Sequence, residues 1–528
     1  MKKILEKNFH YITFLVFFIL QTFIYSDYGY SWDETFSRLN GLVSFNYIVQ
    51  KLSIFEYSSF KDIPDLENYI DNEYGVFFEI LNIFIEKIFN LNDEEVIYQS
   101  RHFFNSFIFF IASIYFYFTL SKFYSKTISL FGFIIFLTHP RIFAQSFYNS
   151  KDIIFLCFFC ISNYYLISFI IHKKIKTLII LTLFIGITIG TRVMGLMIPL
   201  LFIFFHLMEN LEKSKHKKLY LLIPFLILSL FFTILFWPYL WENPYNIITA
   251  FKSMSNYDWN GLVYFESKYY SGQFLPWYYL PKIIIITSPL LHFTLFFSGL
   301  FLISKKLFSN LIKINNNKDN IWTNYEELFS LYSILIIFLT LIIVIELNST
   351  LYNDWRQIYY IYPSIIFIAV YGLNKLQKII KYKKIFLGLV FILLVDNVLW
   401  IYKNHPYQYV FYNSFIKKEN IRNYELDYWG VSNLDILKTL PLIQSSNEYK
   451  IFIFSSSPYE KSLNMIPKKD RYKYKFVEEI ENAEFILTNH FYQNKDPKIT
   501  EKFLNSNYNL IYEIKSNNVR INSIYKKR

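Results

Sequence analysis

Long apolar runs alternate with short polar segments from the N-terminus to about Trp400, where this pattern stops. A transmembrane helix needs about 20 mostly apolar residues, and by that rule the chain has about eleven candidate spans. They lie at 9–26, 102–121, 127–140, 153–171, 177–191, 193–208, 219–237, 283–303, 329–347, 358–374 and 384–401. No small-residue cleavage site follows the first run, which is typical of a retained span. The pattern predicts a polytopic α-helical membrane protein.

The remaining quarter of the chain has the composition of a soluble domain. Segments 450–454, 474–477 and 483–488 have the short β-prone runs of strands, and two further runs flank Asn517-Asn518 like a hairpin. Helical patterns lie at 431–444 and 458–465. We therefore expect a membrane domain over 1–401 and a small extracytoplasmic α/β domain over 402–528.

Composition and charge agree with a membrane protein. Hydrophobic residues make up 54% of the 528 and charged residues only 18%, whereas soluble domains carry roughly a quarter charged residues. The net charge of +12 comes largely from lysines in short segments between apolar runs. Because cytoplasmic loops carry such an excess, the charge indicates topology rather than nucleic-acid binding. It predicts a cytoplasmic N-terminus and an extracytoplasmic C-terminal domain.

With this orientation, segments 27–101, 139–152, 238–282 and 348–357 all lie outside the membrane on one face. The first of them is acidic and lacks the lysine clusters of the inner loops. Residues 36–54 and 76–91 within it show apolar side chains at helical spacing, which predicts amphipathic helices along the membrane surface.

Ionisable residues at the edge of a membrane are costly and are therefore candidate functional residues. On the outer face they are Asp33 and Glu34 after the first span, His139, Arg141, Lys151 and Asp152 between the third and fourth, Arg192 between the fifth and sixth, and Asp354 and Arg356 before the tenth. Cations at the lipid headgroup level neutralise phosphate, and a carboxylate can deprotonate a hydroxyl. The set predicts chemistry on a phosphate-linked substrate.

Each of these residues also has a structural interpretation. Arg192 and Arg356 can extend to lipid headgroups from helix ends. Lys151 and Asp152 can form a charge pair at the start of a helix. Asp33 can cap the helix that follows it. The argument for function is that the set shares one face.

Several motifs, taken in order, resemble C-type membrane glycosyltransferases. They are Asp33-Glu34 directly after the first span, 139–141 with 148–152, Gly190-Thr191-Arg192-Val193-Met194-Gly195, 276–281, 354–363, 405–413 and 425–430. This order resembles the protein O-mannosyltransferase and aminoarabinose transferase group, in a poorly characterised bacterial branch. The resemblance covers most of residues 1–430 and implies that group's fold, with an extracytoplasmic site in a bacterial inner membrane.

The resemblance implies transfer of a sugar from a polyprenyl-phosphate donor to an acceptor, with inversion at the anomeric carbon. The implied roles are Asp33 as base, Glu34 supporting the site, Asp152 placing sugar or acceptor, Arg192 and Arg356 holding the phosphate with Lys151 or Arg141 assisting, and His139 and Asp354 in the substrate-binding set. No cofactor is implied. Most relatives need no metal, whereas the oligosaccharyltransferases do, so a divalent metal stays open.

Two features leave the acceptor open among a lipid, a glycan and a protein. The chain lacks a MIR-like domain between its middle spans, and its tail differs from that of the aminoarabinose transferases. Two other classes of protein also remain: a transporter or flippase for lipid-linked sugars, and a structural component of an envelope complex. Transporters often contain internal repeats with charges at the midplane, and neither pattern is visible in this sequence.

Overall fold

The computed structural model of the chain describes residues 2–53, 63–211, 220–255, 257–314 and 321–528. The helices are α1 (Lys2–Ile24), α2 (Glu34–Leu52), α3 (Phe77–Ile88), α4 (Glu94–Leu120), α5 (Lys126–Leu137), α6 (Pro140–Tyr148), α7 (Asp152–His172), α8 (Ile175–Ile189), α9 (Met197–Leu211), α10 (Leu222–Phe236), α11 (Asn246–Ser255), α12 (Tyr279–Thr287), α13 (Leu290–Ile314), α14 (Tyr325–Glu346), α15 (Tyr362–Ile379), α16 (Lys383–Lys403), α17 (Asn433–Ile443), α18 (Tyr459–Ser462), α19 (Lys468–Arg471) and α20 (Pro497–Asn507). The strands are β1 (Leu262–Phe265), β2 (Lys268–Ser271), β3 (Tyr449–Ile453), β4 (Tyr474–Phe476), β5 (Phe485–Thr488), β6 (Tyr508–Ser516) and β7 (Val519–Lys527).

The predicted fold class is confirmed as a mostly helical protein with several membrane-type helices and a small C-terminal sheet. Among the described residues, six helices are long and apolar enough to cross a membrane, in α1, α4, α7, α13, α14 and α16. Helices α5 and α6 together would make a seventh span, bent by 67°, and α8, α9 and α10 are shorter apolar helices. The predicted total of eleven spans stays a prediction.

Helix α6 occupies most of segment 139–152, and the position of this segment outside the membrane stays a prediction. One predicted span is wrong. The predicted span at 283–303 is broken at Ser288, whose backbone is extended between α12 and α13. Pro289 follows, and a proline disfavours the helical conformation of the residue before it. Hydrophobicity alone gave no sign of this break because both sides are equally apolar.

Helices α13 and α15 pack through two glycines. A Cβ atom at Gly299 would lie 2.0 Å from the carbonyl oxygen of Ile368, and one at Gly372 would lie 2.6 Å from that of Leu295. Small residues let membrane helices approach closely, so that van der Waals contact holds them together. This pair places α15, and with it the segment before it that carries Arg356.

The acidic first outer segment forms helices α2 and α3, as the apolar spacing predicts; their position at a membrane surface stays a prediction. The two helices meet at Gly41, which leaves no room for a Cβ beside Glu79. Glu79 and Glu86 of α3 both pair with Arg101 of α4, which is buried. Buried charges need such pairing, so this network fixes the outer segment on α4.

The C-terminal sheet has the strand order β4-β3-β5-β7-β6. Strand β3 pairs in parallel with β4 and β5, and β7 runs antiparallel to β5 and β6. The predicted hairpin is confirmed, and both Asn517 and Asn518 have the positive φ that its tight turn requires. The division of the chain into domains at residue 401 stays a prediction.

The C-terminal region, residues 402–528, is called the tail; it packs tightly against the segment between α1 and α2. The Trp32 amide donates to the Trp429 carbonyl at 3.0 Å, and a Cβ at Gly29 would lie 2.1 Å from the Val431 carbonyl oxygen. Arg471 also pairs with Glu94 at the start of α4, at 2.6 Å. The tail therefore helps to position the Asp33 segment.

We expect Gly299→Val to lower the thermal unfolding temperature of the detergent-solubilised protein strongly, because its side chain has no room between α13 and α15. Gly388→Val in α16 is the matched control, since a Cβ there meets nothing within 4 Å. Equal unfolding temperatures for the two variants would contradict this packing.

Candidate active site

Asp33 occupies the N-cap position of α2 but makes no capping hydrogen bond with its side chain. Its Oδ2 instead accepts a hydrogen bond from Nη1 of Arg356 at 2.9 Å. A third of the side chain is exposed. The capping interpretation therefore does not explain this carboxylate, which is free of its own helix and directed at a residue 323 positions away.

The neighbouring carboxylate of Glu34 points elsewhere and is buried. Its two oxygens bond the Ser31 amide at 2.7 Å and the His102 Nε2 at 2.8 Å. The bond to the Ser31 amide ties this carboxylate to the turn that precedes α2. Glu34 thus holds the turn that presents Asp33, and its supporting role in the reaction stays a prediction.

Arg356 links Asp33 to Asp152, the first residue of α7. Its Nη1 lies 3.2 Å from Asp152 Oδ2, and the other oxygen of that carboxylate pairs with Arg192. Asp152 is fixed by Asn149, whose amide donates to it at 3.0 Å and accepts from its backbone N–H at 2.9 Å. The start of a helix also favours a negative charge there. Four residues from four parts of the chain therefore form one continuous ion-pair network.

The Arg356 guanidinium lies between two aromatic rings. Its central carbon is 4.6 Å from the ring centroids of both Tyr352 and Trp429. A flat guanidinium stacks well on aromatic faces, and such contacts strengthen when water is excluded. The rings restrict Arg356 to the plane in which it meets both carboxylates.

Lys151 adds a third cation to the site. Its Nζ lies 3.9 Å above the Tyr74 ring, and no carboxylate of the described residues lies within ion-pair distance of it. Burial lowers its pKa below the usual lysine range, although Asp33 and Asp71 act in the opposite direction. Burial alone would raise the pKa of Asp33, but Arg356 and Lys151 outweigh it and hold that pKa below its ordinary value. Asp33 is therefore ionised at neutral pH.

A close backbone contact positions Arg192. A Cβ at Gly75 would lie 2.4 Å from the Gly190 carbonyl oxygen and 2.6 Å from that of Thr191. The outer segment can therefore approach the turn between α8 and α9 only where it has glycine. This contact places the Arg192 side chain beside Asp152.

Two cavities meet at the Asp33–Arg356 pair. We call the first the charged cavity; its volume is about 400 Å³, and its walls include Asp71, Lys151, Arg192 and apolar residues of α9 and α14. We call the second the aromatic cavity; its volume is about 490 Å³. Its walls are mainly aromatic and amide side chains, from Trp32, residues 259–262 and 352–353, and the C-terminal residues Tyr428, Trp429, Phe491, Gln493 and Asn494. Asp33, Arg356, Trp32, Trp259 and Tyr352 line both.

Three predicted site residues lie away from these cavities. Arg141 and Asp354 form a buried ion pair at 3.0 Å, and Arg141 also donates to the Phe411 carbonyl at 3.0 Å. His139 caps α6, and its Nε2 lies 3.3 Å from the Ser288 hydroxyl. The structure does not bring these three to the walls of either cavity, and their role in substrate binding stays a prediction.

Sequence reasoning did not single out four residues of the site. Asp71, Tyr74 and Tyr352 line the charged cavity, and Trp429 stacks on Arg356. Trp429 lies within the 425–430 motif, which could have marked it. The other three have no local signal, because acidic residues and tyrosines are abundant throughout this chain.

The described residues contain no group of three or more His, Cys, Asp or Glu side chains that could hold a metal ion. Cys157 and Cys160 are buried in α7 as free thiols. The metal requirement of the reaction stays open.

Residues 84–237 match the family described as dolichyl-phosphate-mannose-protein mannosyltransferase. The predicted resemblance to C-type membrane glycosyltransferases is confirmed. The matched stretch contains Lys151, Asp152 and Arg192, and it leaves out Asp33 and Arg356. No protein of curated function matches the sequence.

Similar solved structures include ArnT from Cupriavidus metallidurans in the apo state, with 10% identity, a TM-score of 0.48 and coverage of 99% of this chain and 98% of that one. The same protein bound to undecaprenyl phosphate has a TM-score of 0.45 at 10% identity, with coverage of 98% and 97%. The archaeal oligosaccharyltransferase AglB from Archaeoglobus fulgidus, in complex with an inhibitory peptide and a dolichol-phosphate, has a TM-score of 0.49 at 10% identity, with coverage of 99% and 75%.

We expect Asp152→Asn to lower the free energy of unfolding by about 3–5 kcal/mol, because it removes the buried charge that pairs with two arginines. Asp33→Asn is the matched variant. It should lower the free energy of unfolding much less, since the Asp33 side chain is a third exposed and Arg356 still pairs with Asp152 in this variant. Unfolding in detergent monitored by circular dichroism measures both, and an equal loss would contradict this division between structural and accessible carboxylates.

Proposed function

We propose that this protein is a membrane glycosyltransferase that moves a sugar from a polyprenyl-phosphate donor to an acceptor hydroxyl, with inversion at the anomeric carbon. We further propose that the site faces the outside of a bacterial inner membrane. One observation carries the proposal: Asp33, an ionised carboxylate, lies where two cavities of different chemistry meet. A base that takes a proton from one substrate while a second substrate reacts needs that position.

The charged cavity fits an amphiphilic donor. Met197 and Leu200 of α9 and Ile343 and Val344 of α14 line its apolar part, and Leu200 is 60% exposed. This wall suits a polyprenyl chain that reaches the site from the lipid.

Three cations, Lys151, Arg192 and Arg356, line the polar part of the same cavity. Cations and bidentate guanidinium groups are the usual partners of phosphate. Lys151 is the one that no carboxylate of the described residues pairs with, so it can meet the donor phosphate without breaking an ion pair.

In the proposed step, the acceptor hydroxyl oxygen attacks the anomeric carbon of the donor and loses its proton to Asp33. The bond between that carbon and the phosphate oxygen breaks, and its electron pair stays on the phosphate. The products are the new glycoside and a polyprenyl phosphate. Fixed cations that meet the negative charge growing on the leaving group lower the barrier, and they act most strongly where water is excluded.

Arg356 connects the two halves of this step. Its bond to Asp33 keeps the base ionised, and its side chain lines the charged cavity, where the leaving phosphate would lie. Glu34 stays outside the reaction in this proposal, because its oxygens are occupied by Ser31 and His102.

We expect Asp33→Asn to reduce sugar transfer at least about 100-fold, the usual contribution of a general base. The assay is transfer from labelled undecaprenyl-phosphate sugars in nanodiscs, with and without EDTA. Asp27→Asn is the matched control, because Asp27 is exposed and pairs with His405 away from both cavities. Full activity in Asp33→Asn would exclude the proposed base. A folded wild-type protein without turnover of any donor would favour the transporter instead.

We expect transfer to decline as the pH rises toward the lowered pKa of Lys151, because the neutral amine no longer offsets the phosphate charge. The decline should begin below the usual lysine range. Lys151→Arg should move it to higher pH, since a guanidinium stays protonated there. A pH profile of kcat/KM for both proteins measures this, and identical alkaline limbs would contradict a role for the Lys151 charge.

A further inference from the structure

We infer that the acceptor is an uncharged carbohydrate, held in the aromatic cavity by ring faces and amide side chains. This inference rests on the proposed function, since it concerns the second substrate of the same site. It goes beyond that function because neither the family match nor the catalytic groups define the acceptor.

The charges of the two cavities differ sharply. The charged cavity is lined by Asp33, Asp71, Glu73, Lys151, Arg192 and Arg356. Of the described residues that line the aromatic cavity, the aspartate, glutamate, lysine, arginine and histidine side chains are Asp33 and Arg356 alone, and these two already pair at 2.9 Å. An acceptor carrying phosphate or carboxylate would therefore find no unpaired cation among these residues, and its charge would be desolvated at a substantial cost.

Aromatic rings make up much of the remaining wall. Trp32 and Trp259 are partly exposed, and Trp259 stacks on Tyr352 with 4.5 Å between ring centroids. Trp32 is held edge-to-face by Phe491 at 6.3 Å. Aromatic faces carry negative charge and their edges positive charge, so a ring face suits the apolar C–H surface of a sugar ring. Rings held by their neighbours also lose little entropy on binding.

Amide side chains supply the hydrogen bonds. Asn260, Asn353, Gln493 and Asn494 line the cavity, and an amide offers both donors and acceptors. The hydroxyl groups of a sugar both donate and accept hydrogen bonds, so they need donors and acceptors in the wall. Gln493 is oriented by the Leu262 amide, which donates to its Oε1 at 2.6 Å. Uncharged rings combined with amides thus match a neutral sugar better than an anion or a charged peptide.

The test measures ligand binding to the full-length protein in nanodiscs by saturation-transfer NMR. This measurement needs no sugar donor. The probes are maltotriose, cellotriose and mannotriose as neutral sugars, glucosamine 6-phosphate as an anionic sugar, and a serine- and threonine-containing peptide. We expect a neutral oligosaccharide to bind at least about tenfold more tightly than the other two classes. Gln493→Ala and Asn494→Ala should each weaken it about 3- to 10-fold, the range of one lost hydrogen bond. Asn507→Ala, an exposed amide at the end of α20 away from both cavities, is the control.

Charge variants at one position distinguish the alternatives. Asn494→Lys and Asn494→Asp should both weaken the binding of a neutral sugar, and the two affinities should lie within about threefold of each other. An anionic ligand would instead bind more tightly to Asn494→Lys and less tightly to Asn494→Asp. The inference is overturned if no neutral oligosaccharide binds, if the phosphosugar or peptide binds more tightly, or if the preferred ligand shows opposite responses. Sugar binding without turnover of any donor would instead count against the proposed function and leave the carbohydrate site standing.

Discussion

A single buried guanidinium, that of Arg356, organises the site. It meets Asp33 from the segment after α1 and Asp152 from the start of α7, and the rings of Tyr352 and Trp429 enclose it. A buried charge is tolerated only when it is paired and hydrogen-bonded. The four partners therefore constrain one another, and segments more than 300 residues apart in sequence are held within hydrogen-bond distance.

The adjacent side chains of Asp33 and Glu34 carry the same functional group but differ in burial and in hydrogen-bond partners. Glu34 is buried and bonded on both oxygens, so it serves the turn. Asp33 is partly exposed to two cavities and held ionised by cations, so it is the one available to a substrate. One residue of offset at the start of α2 turns the two side chains in different directions, toward His102 and toward Arg356.

The C-terminal region is part of the site and not an appendage. Trp429 stacks on the central arginine, and Phe491, Gln493 and Asn494 complete the wall of the aromatic cavity. Close contact at Gly29 and the backbone bond between Trp32 and Trp429 join this region to the segment that carries Asp33. Under the proposed function, these residues of the tail belong to the acceptor side of the site.

The sequence by itself determined the membrane character, the small α/β tail with its Asn517-Asn518 hairpin, and the candidates Asp33, Lys151, Asp152, Arg192 and Arg356. Hydrophobic length, period-two alternation and ionisable residues at membrane edges are local signals, readable one segment at a time. Only the tertiary structure decided that Arg141 and Asp354 pair with each other away from the cavities, that Glu34 turns toward His102, and that Trp429 covers Arg356. These outcomes depend on which distant side chains share a buried space, and no local pattern encodes that pairing.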